Sequence, residues 1–201
     1  MKLRVWSLLA ALLGLLMLAG LVLYDMRSRD GGLLLSAPLA NIGGPFTLTD
    51  MNGQPFNSDS LLGKPQAVFF GFTHCPEVCP TTLNDLTLAM DRLGARADDL
   101  RAVFITVDPE RDSPQVLKDY LQSFDHRFMA LTGSLEDIAK VAKSFRVYYA
   151  KQPTSDGSYT MDHTALVFLM NRKGQFVGTL DFEENAETKF RKLEKLIASE
   201  N

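Results

Sequence analysis

The sequence predicts an α/β domain, a mixed β-sheet with helices on both faces, that follows a single N-terminal transmembrane helix. From about residue 45 onward, short apolar runs typical of strands alternate with amphipathic stretches typical of helices, and the chain closes with a hairpin and a helix. Before this region, residues 5–24 form an apolar run without a charged residue. Together these patterns predict a membrane anchor over residues 1–24, a linker over residues 25–44 and one folded domain over residues 45–201.

The N-terminal run is long enough to cross a membrane. In a helix, its residues cover about 30 Å, which is the thickness of a bilayer's hydrocarbon core. A cleaved signal peptide has a shorter apolar region, about 7–15 residues, followed by a cleavage site of small residues. Ala19 and Gly20 form a weak site of this kind, but the apolar run continues past them. We therefore expect an uncleaved single-pass anchor.

The charges beside the anchor indicate its orientation. Lys2 and Arg4 precede the run, and Arg27 and Arg29 follow it with aspartates interspersed. The positive charges before the run favour a cytoplasmic N-terminus. The domain would then lie on the periplasmic side of the inner membrane, where thiols can be oxidised. The whole chain has a net charge of -3. A mildly acidic protein is not attracted electrostatically to nucleic acid, so the charge gives no reason to expect nucleic-acid binding.

The elements of the domain follow in order from their local patterns. Alternating apolar residues on both sides of the turn sequence DMNG predict an N-terminal β-hairpin over residues 46–56. Ser113 and Pro114 are typical of a helix N-cap and of the first helical position. The sequence NRKG predicts the turn of a C-terminal hairpin. The strands after the first hairpin are predicted over residues 66–72, 100–107, 164–170 and 175–180, and the helices over residues 80–93, 114–124, 134–145 and 187–198.

The only two cysteines, Cys75 and Cys79, lie between a predicted strand and a predicted helix. Backbone N–H groups and the positive end of the helix dipole favour the thiolate there, which is the form that attacks disulfides and binds metals. As residues i and i+4 of a helix, the cysteines would share one face with Cβ atoms about 5–6 Å apart. A disulfide needs about 3.5–4.5 Å. The pair can oxidise to a disulfide, but the spacing favours a soft metal held between two sulfurs.

A metal held by two cysteines requires a further ligand, and three histidines are candidates. His74 adjoins Cys75 and is expected to point elsewhere, whereas His126 lies in a charged stretch typical of a solvated loop. His163 directly precedes the strongest late strand, so it can meet the cysteine loop if the two strands are neighbours. Two cysteines and one histidine suit copper in either oxidation state. The alternative for His163 is a residue at the edge of a strand without a ligand role.

Three stretches carry a resemblance to a known family: GFTHCPEVCP (residues 71–80), VFITVDPERDSP (residues 103–114) and DHTALVFLMNRKGQFVG (residues 162–178). They resemble the Sco/SenC family of copper-binding assembly factors for cytochrome c oxidase. The resemblance implies a thioredoxin-like fold, a membrane anchor, an exported domain and copper held by Cys75, Cys79 and His163. It also implies that the protein delivers copper to the binuclear copper centre of oxidase subunit II, or maintains the cysteines of that centre.

Three functions remain open on the sequence. The first is a copper metallochaperone, and the second is an enzyme, a thiol–disulfide oxidoreductase that keeps the cysteines of subunit II reduced through Cys75 and Cys79. The third, a thiol peroxidase, is suggested by the hairpin FTLTDMNGQPF but is the weakest, because both cysteines crowd one motif. The first two functions differ in what they require, since a chaperone needs His163 whereas thiol exchange needs only the cysteines.

Two further features have a structural interpretation. The segment DPERD, residues 108–112, is also similar to the family. We interpret it as a charged turn between a strand and a helix rather than as a loop that supports the site, with Asp108 kept as a candidate supporting group. Met161 is expected to pack in the core rather than to bind a metal.

Overall fold

The structure, a computed structural model, describes residues 42–199 and five helical residues nearer the N-terminus: Gly14, Met17, Leu18, Gly20 and Leu21. Most of the predicted anchor and nearly all of the predicted linker lie outside these described residues. Among the residues that are described, no helix is both long enough and apolar enough to span a membrane. The transmembrane segment stays a prediction.

From residue 42 to residue 199, nine strands and four α-helices follow one another, with short 3₁₀ helices at Ser58–Leu61 and Gly94–Asp99. The strands are β1 (Thr47–Asp50), β2 (Pro55–Asn57), β3 (Gln66–Gly71), β4 (Arg101–Thr106), β5 (Phe128–Thr132), β6 (Tyr149–Pro153), β7 (Tyr159–His163), β8 (Leu166–Met170) and β9 (Phe176–Asp181). The α-helices are α1 (Val78–Leu93), α2 (Pro114–Leu121), α3 (Leu135–Ser144) and α4 (Ala186–Ala198).

Seven of the strands form one mixed sheet in the order β2-β1-β5-β4-β3-β8-β9. The central strands β3, β4 and β5 run parallel, and antiparallel pairings extend the sheet on both sides. Strands β6 and β7 form a separate two-stranded sheet. This topology confirms the α/β class and both predicted hairpins, β1–β2 and β8–β9.

Two consecutive phenylalanines of β3 show that both faces of the sheet are covered. Successive side chains of a strand point to opposite faces. The ring of Phe69 lies 5.9 Å from that of Phe104 between centroids, and Phe104 lies 6.0 Å from Tyr120 of α2. The ring of Phe70 lies instead 5.2 Å from Phe145, directly after α3. The predicted placement of helices on both faces is therefore confirmed.

The helix starts follow the predicted capping chemistry. The Ser113 side chain accepts a hydrogen bond from the Val116 N–H, and Pro114 is the first residue of α2. The Ser134 side chain accepts from the Asp137 N–H in the same way at α3. For the predicted helices and for the predicted strands of the main sheet after the first hairpin, the observed ends differ from the expected ones by at most three residues.

Three strands, β5, β6 and β7, are not predicted by the sequence patterns. The buried strand β5 has the sequence FMALT and lies between two predicted helices, where the sequence pattern predicts neither a helix nor a strand. Strand β6 (YAKQP) is largely exposed and ends in a proline, and strand β7 (YTMDH) has a single buried residue, so neither shows the alternation typical of strands. As a result, His163 is the last residue of β7 rather than part of a loop.

Candidate metal centre

The cysteines lie in the connection between β3 and α1. Cys75 belongs to the loop, whereas Cys79 is the second residue of α1, which begins at Val78. The prediction that both lie on one helical face is therefore wrong, and the loop sets the position of Cys75. Both thiols are free, with Cys79 buried and Cys75 partly exposed.

A close approach between backbone and sulfur holds Cys79 against the sheet. A Cβ atom at Gly71, the last residue of β3, would lie 2.8 Å from the Cys79 Sγ and 2.7 Å from the Phe104 ring. Both distances are shorter than ordinary contacts of a Cβ atom, so a glycine here leaves the room that the sulfur occupies. The position of Cys79 thus depends on the packing of the main core.

The sulfur of Cys75 acts as a cap for α1. The N-cap residue Glu77 makes no side-chain hydrogen bond to the helix. The Cys79 N–H donates instead to the Cys75 Sγ over 3.3 Å. Since amides of the first turn lack acceptors within the helix, this bond satisfies one of them. It also favours negative charge on the sulfur.

The two thiols differ in acidity. The pKa of Cys75 is lowered from 9.0 to about 4, chiefly by a hydrogen bond from the Cys79 side chain; burial opposes this shift, and hydrogen bonds from the backbone of Cys79 and Glu77 add to it. The pKa of Cys79 is raised, because its thiol bonds to Cys75, is buried and lies beside the charge on that sulfur. The site therefore holds one thiolate and one thiol at neutral pH. The acidic cysteine is Cys75, and the neighbouring thiol contributes more to its low pKa than the backbone N–H groups at the helix start do.

His163 approaches the sulfurs from the end of β7. Its Nε2 lies 3.5 Å from the Cys79 Sγ, and its ring meets those of Phe69 and Phe72 at centroid distances of 6.2 and 5.7 Å. Its Nδ1 lies 3.1 Å from the carbonyl oxygen of Thr164. Because a carbonyl can only accept, this bond requires a proton on Nδ1, so in the neutral ring Nε2, beside the sulfur, is the nitrogen that can bind a metal.

The structure brings together the three side chains that the sequence analysis selected. The sulfurs of Cys75 and Cys79 and a ring nitrogen of His163 all lie within 4.8 Å of one another. His74 and His126 have exposed side chains and lie outside this group. This separation agrees with the expectations for both residues.

The segment DPERD is a charged turn between β4 and α2, as expected, but the expectation that it does not support the site is wrong, because Asp108 and Asp112 are both buried and bonded to the site's surroundings. Asp112 accepts hydrogen bonds from the N–H and the hydroxyl of Thr73, at 3.0 and 2.5 Å. The Thr106 hydroxyl at the end of β4 donates to the same carboxylate at 2.6 Å. Since Thr73 lies two residues before Cys75, Asp112 ties the cysteine loop to the main sheet.

Sequence reasoning missed Thr73 and Tyr159 as supports of the site. Tyr159, the first residue of β7, donates its hydroxyl to the Oδ1 of Asp108 at 2.9 Å. A buried acid requires hydrogen-bond partners, but the sequence pattern does not show that Asp108 is buried, so it offers no signal for these partners. Met161 is buried, as expected.

Comparison with known proteins agrees with this geometry. The family model described as SCO1/SenC matches residues 36–198. A SCO2-like protein of Rickettsia prowazekii is 44% identical over 138 residues, which cover 68% of this chain and 67% of the relative. The protein BsSco, described as having a disulfide switch and as a member of the Sco family of cytochrome c oxidase assembly proteins, is 26% identical with a TM-score of 0.62, over 81% of this chain and 97% of that one.

Two similar structures were solved with copper bound. ScoI of Bradyrhizobium japonicum is 50% identical with a TM-score of 0.72, over 77% of this chain and 99% of that one. Yeast Sco1 is 37% identical with a TM-score of 0.74, over 80% of this chain and 91% of that one. The α/β fold, the match of the family model and these identities lead to one conclusion. The chain belongs to the SCO1/SenC family.

Proposed function

We propose that this chain is a copper metallochaperone that binds copper through Cys75, Cys79 and His163. The observation that supports this most directly is the cluster of two sulfurs and one imidazole nitrogen within 4.8 Å. The copper-bound relatives support the choice of metal.

The donor set fits copper in size and in chemistry. With metal–sulfur distances of about 2.3 Å and metal–nitrogen distances of about 2.0 Å, a trigonal ion separates its donors by about 4 Å. The Cys79 Sγ and the His163 Nε2 are 3.5 Å apart, and all three donors lie within 4.8 Å of one another, so shifts of about 1 Å or less would close the group on one ion. Structural zinc sites use four protein ligands, whereas thiolates with one imidazole suit copper.

Each oxidation state of copper would use the donors differently. Copper(I) accepts two sulfur ligands, and Cys75 is already ionised because its pKa lies at about 4. Cys79 must lose its proton when the metal binds, so copper affinity should rise with pH. Copper(II) prefers a nitrogen donor as well, which His163 would supply.

We infer that the copper is destined for the binuclear centre in subunit II of cytochrome c oxidase. The description of BsSco as a cytochrome c oxidase assembly protein supports this target. In this proposal, residues 1–24 anchor the chain in the inner membrane with a cytoplasmic N-terminus, and residues 25–44 are a linker. Residues 45–201 then form the copper-binding domain on the periplasmic side.

The second candidate is a thiol–disulfide oxidoreductase that reduces the cysteines of subunit II. The low pKa of Cys75 and the free thiol of Cys79 beside it favour this function. The Cys75 thiolate would attack a partner disulfide and release one partner thiolate, and Cys79 would then attack the Cys75 sulfur and release the other. The protein would end with a Cys75–Cys79 disulfide, having lost the two electrons that the partner gained. The disulfide switch of BsSco supports this reaction.

Metal titration of the reduced full chain in detergent separates the two candidates. A chaperone should bind about one copper ion per chain and show an intense thiolate-to-copper(II) absorption. The double variant Cys75→Ser/Cys79→Ser should lose both. His126→Ala is the matched control, because this imidazole is exposed and lies outside the cluster. A full chain that stays free of metal but reduces protein disulfides would contradict the chaperone and support the oxidoreductase.

A further inference from the structure

The strand pair that carries His163 stands apart from the main sheet. Strands β6 and β7 pair with each other from Tyr149↔His163 to Pro153↔Tyr159 and form their own two-stranded sheet. We call residues 149–163 the histidine hairpin. An isolated two-stranded hairpin is marginally stable in water. The position of His163 at its end therefore depends on contacts between the hairpin and the rest of the domain.

One set of contacts holds the far end of this hairpin. Asp108 accepts a hydrogen bond from the Tyr159 hydroxyl at 2.9 Å on Oδ1 and one from the Arg111 Nε at 2.5 Å on Oδ2. The Arg111 Nη1 donates to the Tyr159 carbonyl oxygen at 3.0 Å, and its Cζ lies 3.8 Å from the centroid of the Tyr159 ring. We call these three side chains the Asp108 clamp. Two of these hydrogen bonds and the cation–π contact join β7 to the loop after β4, and the bond between Arg111 and Asp108 lies within that loop.

The ion pair of the clamp, Arg111 with Asp108, is more buried than a second ion pair between the same loop and the hairpin. The Asp108 side chain has no exposed surface, and Arg111 is 21% exposed. The ion pair of Lys151 with Glu110 joins the same two segments, but both side chains are about half exposed. An exposed pair contributes little to structure or stability. A buried and hydrogen-bonded pair restricts geometry, which is the role of buried polar groups that is best attested.

The same loop also fixes the cysteine side of the site. Asp112, four residues after Asp108, holds Thr73 of the cysteine loop through the hydrogen bonds at 3.0 and 2.5 Å. The loop of residues 108–112 thus contacts both parts of the chain that carry the donor atoms. The segment is therefore placed to set the distance between the sulfurs and the imidazole.

We propose that Asp108, Arg111 and Tyr159 are positioning residues that hold His163 in reach of the two sulfurs and so determine how tightly copper(II) binds relative to copper(I). This proposal rests on the proposed copper function. Copper(I) is satisfied by two sulfur ligands, whereas copper(II) needs the imidazole. A looser hairpin weakens the imidazole contact and leaves the two sulfurs in place. The clamp therefore acts on copper(II) through His163.

The first test is Tyr159→Phe in the full chain, which removes one hydroxyl and keeps the ring. The dissociation constant for copper(II) should rise about tenfold, the lower end of the range for a lost partner beyond the ligands. The constant for copper(I) should change less than about twofold, because both sulfurs remain. Glu110→Gln is the matched control, since it removes the exposed ion pair of the same hairpin and should change neither constant. Equal losses for both oxidation states would overturn the proposal.

A second measurement separates positioning from a general loss of stability. In the His163→Ala background, Tyr159→Phe should have no further effect on copper binding, because the clamp acts through the missing imidazole. An undiminished effect in that background would contradict the proposal. Asp108→Asn provides an independent variant, and its effect should not add to that of Tyr159→Phe, because the two residues share one hydrogen bond.

Hydrogen exchange of the metal-free full chain tests the clamp without copper. Tyr159→Phe should speed exchange of the amides of the histidine hairpin several-fold and leave those of β3 and β4 unchanged, whereas Glu110→Gln should change neither. Unchanged exchange in the hairpin would contradict the positioning role proposed for the Asp108 clamp. A wild-type chain that binds no copper, together with faster exchange in Tyr159→Phe, would instead contradict the proposed function and leave the clamp standing.

Discussion

The two halves of the candidate copper site are held in different ways. Cys79 is fully buried at the junction of β3 and α1, in contact with the central strands of the main sheet. His163 is partly exposed and ends a hairpin that belongs to a separate two-stranded sheet. The cysteine half is thus fixed by core packing, and the histidine half by the Asp108 clamp together with a few apolar contacts, those of Met161 and of the His163 ring.

This difference suits a carrier that must release its ion. Interiors of proteins are close-packed, so a ligand within the main core moves only when its neighbours move. A ligand on a separate hairpin has fewer such neighbours and can move with less disturbance of that core. We therefore expect the sulfurs to keep their positions with and without metal, and the imidazole to adjust to the oxidation state of copper.

Removing one of the two sulfurs should have the largest effect on copper binding. In Cys75→Ala or Cys79→Ala, one thiolate and one imidazole remain, so binding of both oxidation states should fall by more than the roughly 10–100-fold that a lost partner beyond the ligands costs. Competition with a chromophoric copper(I) chelator measures the loss. Full copper(I) affinity in either variant would show that the cysteine half does not hold the ion.

Stability should depend strongly on the main sheet and little on the exposed surface at the hairpin. Phe70→Ala empties a fully buried site between the rings of Phe145 and Phe168, and should lower the free energy of unfolding by about 3–5 kcal/mol. Tyr148→Ala, directly before the hairpin, removes a ring that is 59% exposed and should change it by less than about 0.5 kcal/mol. Denaturant unfolding of the metal-free protein compares the two. Equal losses would remove the distinction between the halves.

The contact between Gly71 and the sulfur links stability to binding. Gly71→Ala forces the Cys79 Sγ and the Phe104 ring apart, because the new methyl group would lie within 2.8 Å of both. The free energy of unfolding should fall by about 1–3 kcal/mol, and copper affinity should fall with it. Gly178→Ala is the control, since a Cβ there meets no atom within 4 Å. Normal copper binding by a destabilised Gly71→Ala protein would show that the sulfur tolerates displacement.

The main sheet could be predicted from the sequence because its signals are local. Strand β3 is buried along its whole length and β4 along nearly all of it, so both have the continuous apolar runs of central strands. The caps at Ser113 and Ser134 are equally local. The histidine hairpin offers no such signal, since Met161 is the one fully buried residue of β7 and β6 has none. The hairpin forms through contacts with distant parts of the chain, which a local sequence pattern does not reveal.

The candidate site was predictable in its residue types but not in its support. Two cysteines before a helix and a histidine before a strand pointed to a metal, and the family resemblance pointed to copper. The burial of Asp108 and Asp112 was not predictable, because it results from hydrogen bonds to Tyr159 and Thr73, which lie 51 and 39 residues away along the chain. Without these partners, the same residues have the pattern of a solvated turn.

The acidity of Cys75 gives a smaller and independent test of the cysteine half. Because the pKa of Cys75 is lowered from 9.0 to about 4, its alkylation by iodoacetamide should stay fast well below the ordinary thiol pKa of about 8.5. Cys79 should stay unreactive, since it is buried and its pKa is raised. Mass spectrometry of the metal-free chain locates the modified sulfur.

The same shift has a consequence for stability. The folded protein binds fewer protons at Cys75 than the unfolded chain between pH 4 and pH 9, so the contribution of Cys75 is present above pH 9 and is lost as the pH falls to about 4. Cys75→Ser should therefore flatten the pH dependence of unfolding within this window. An alkylation midpoint at or above about 8.5 would contradict the hydrogen bond from Cys79 to Cys75.

The copper(II) absorption spectrum of His163→Ala tests the central claim most directly, that the two halves meet on one ion. Without the imidazole, the two sulfurs should still hold copper(I), whereas the intense thiolate-to-copper(II) band should disappear and the metal-free protein should unfold at nearly the wild-type temperature. If His163→Ala keeps the full copper(II) band and wild-type affinity, His163 is not a ligand, and the thiol–disulfide oxidoreductase becomes the better account of Cys75 and Cys79.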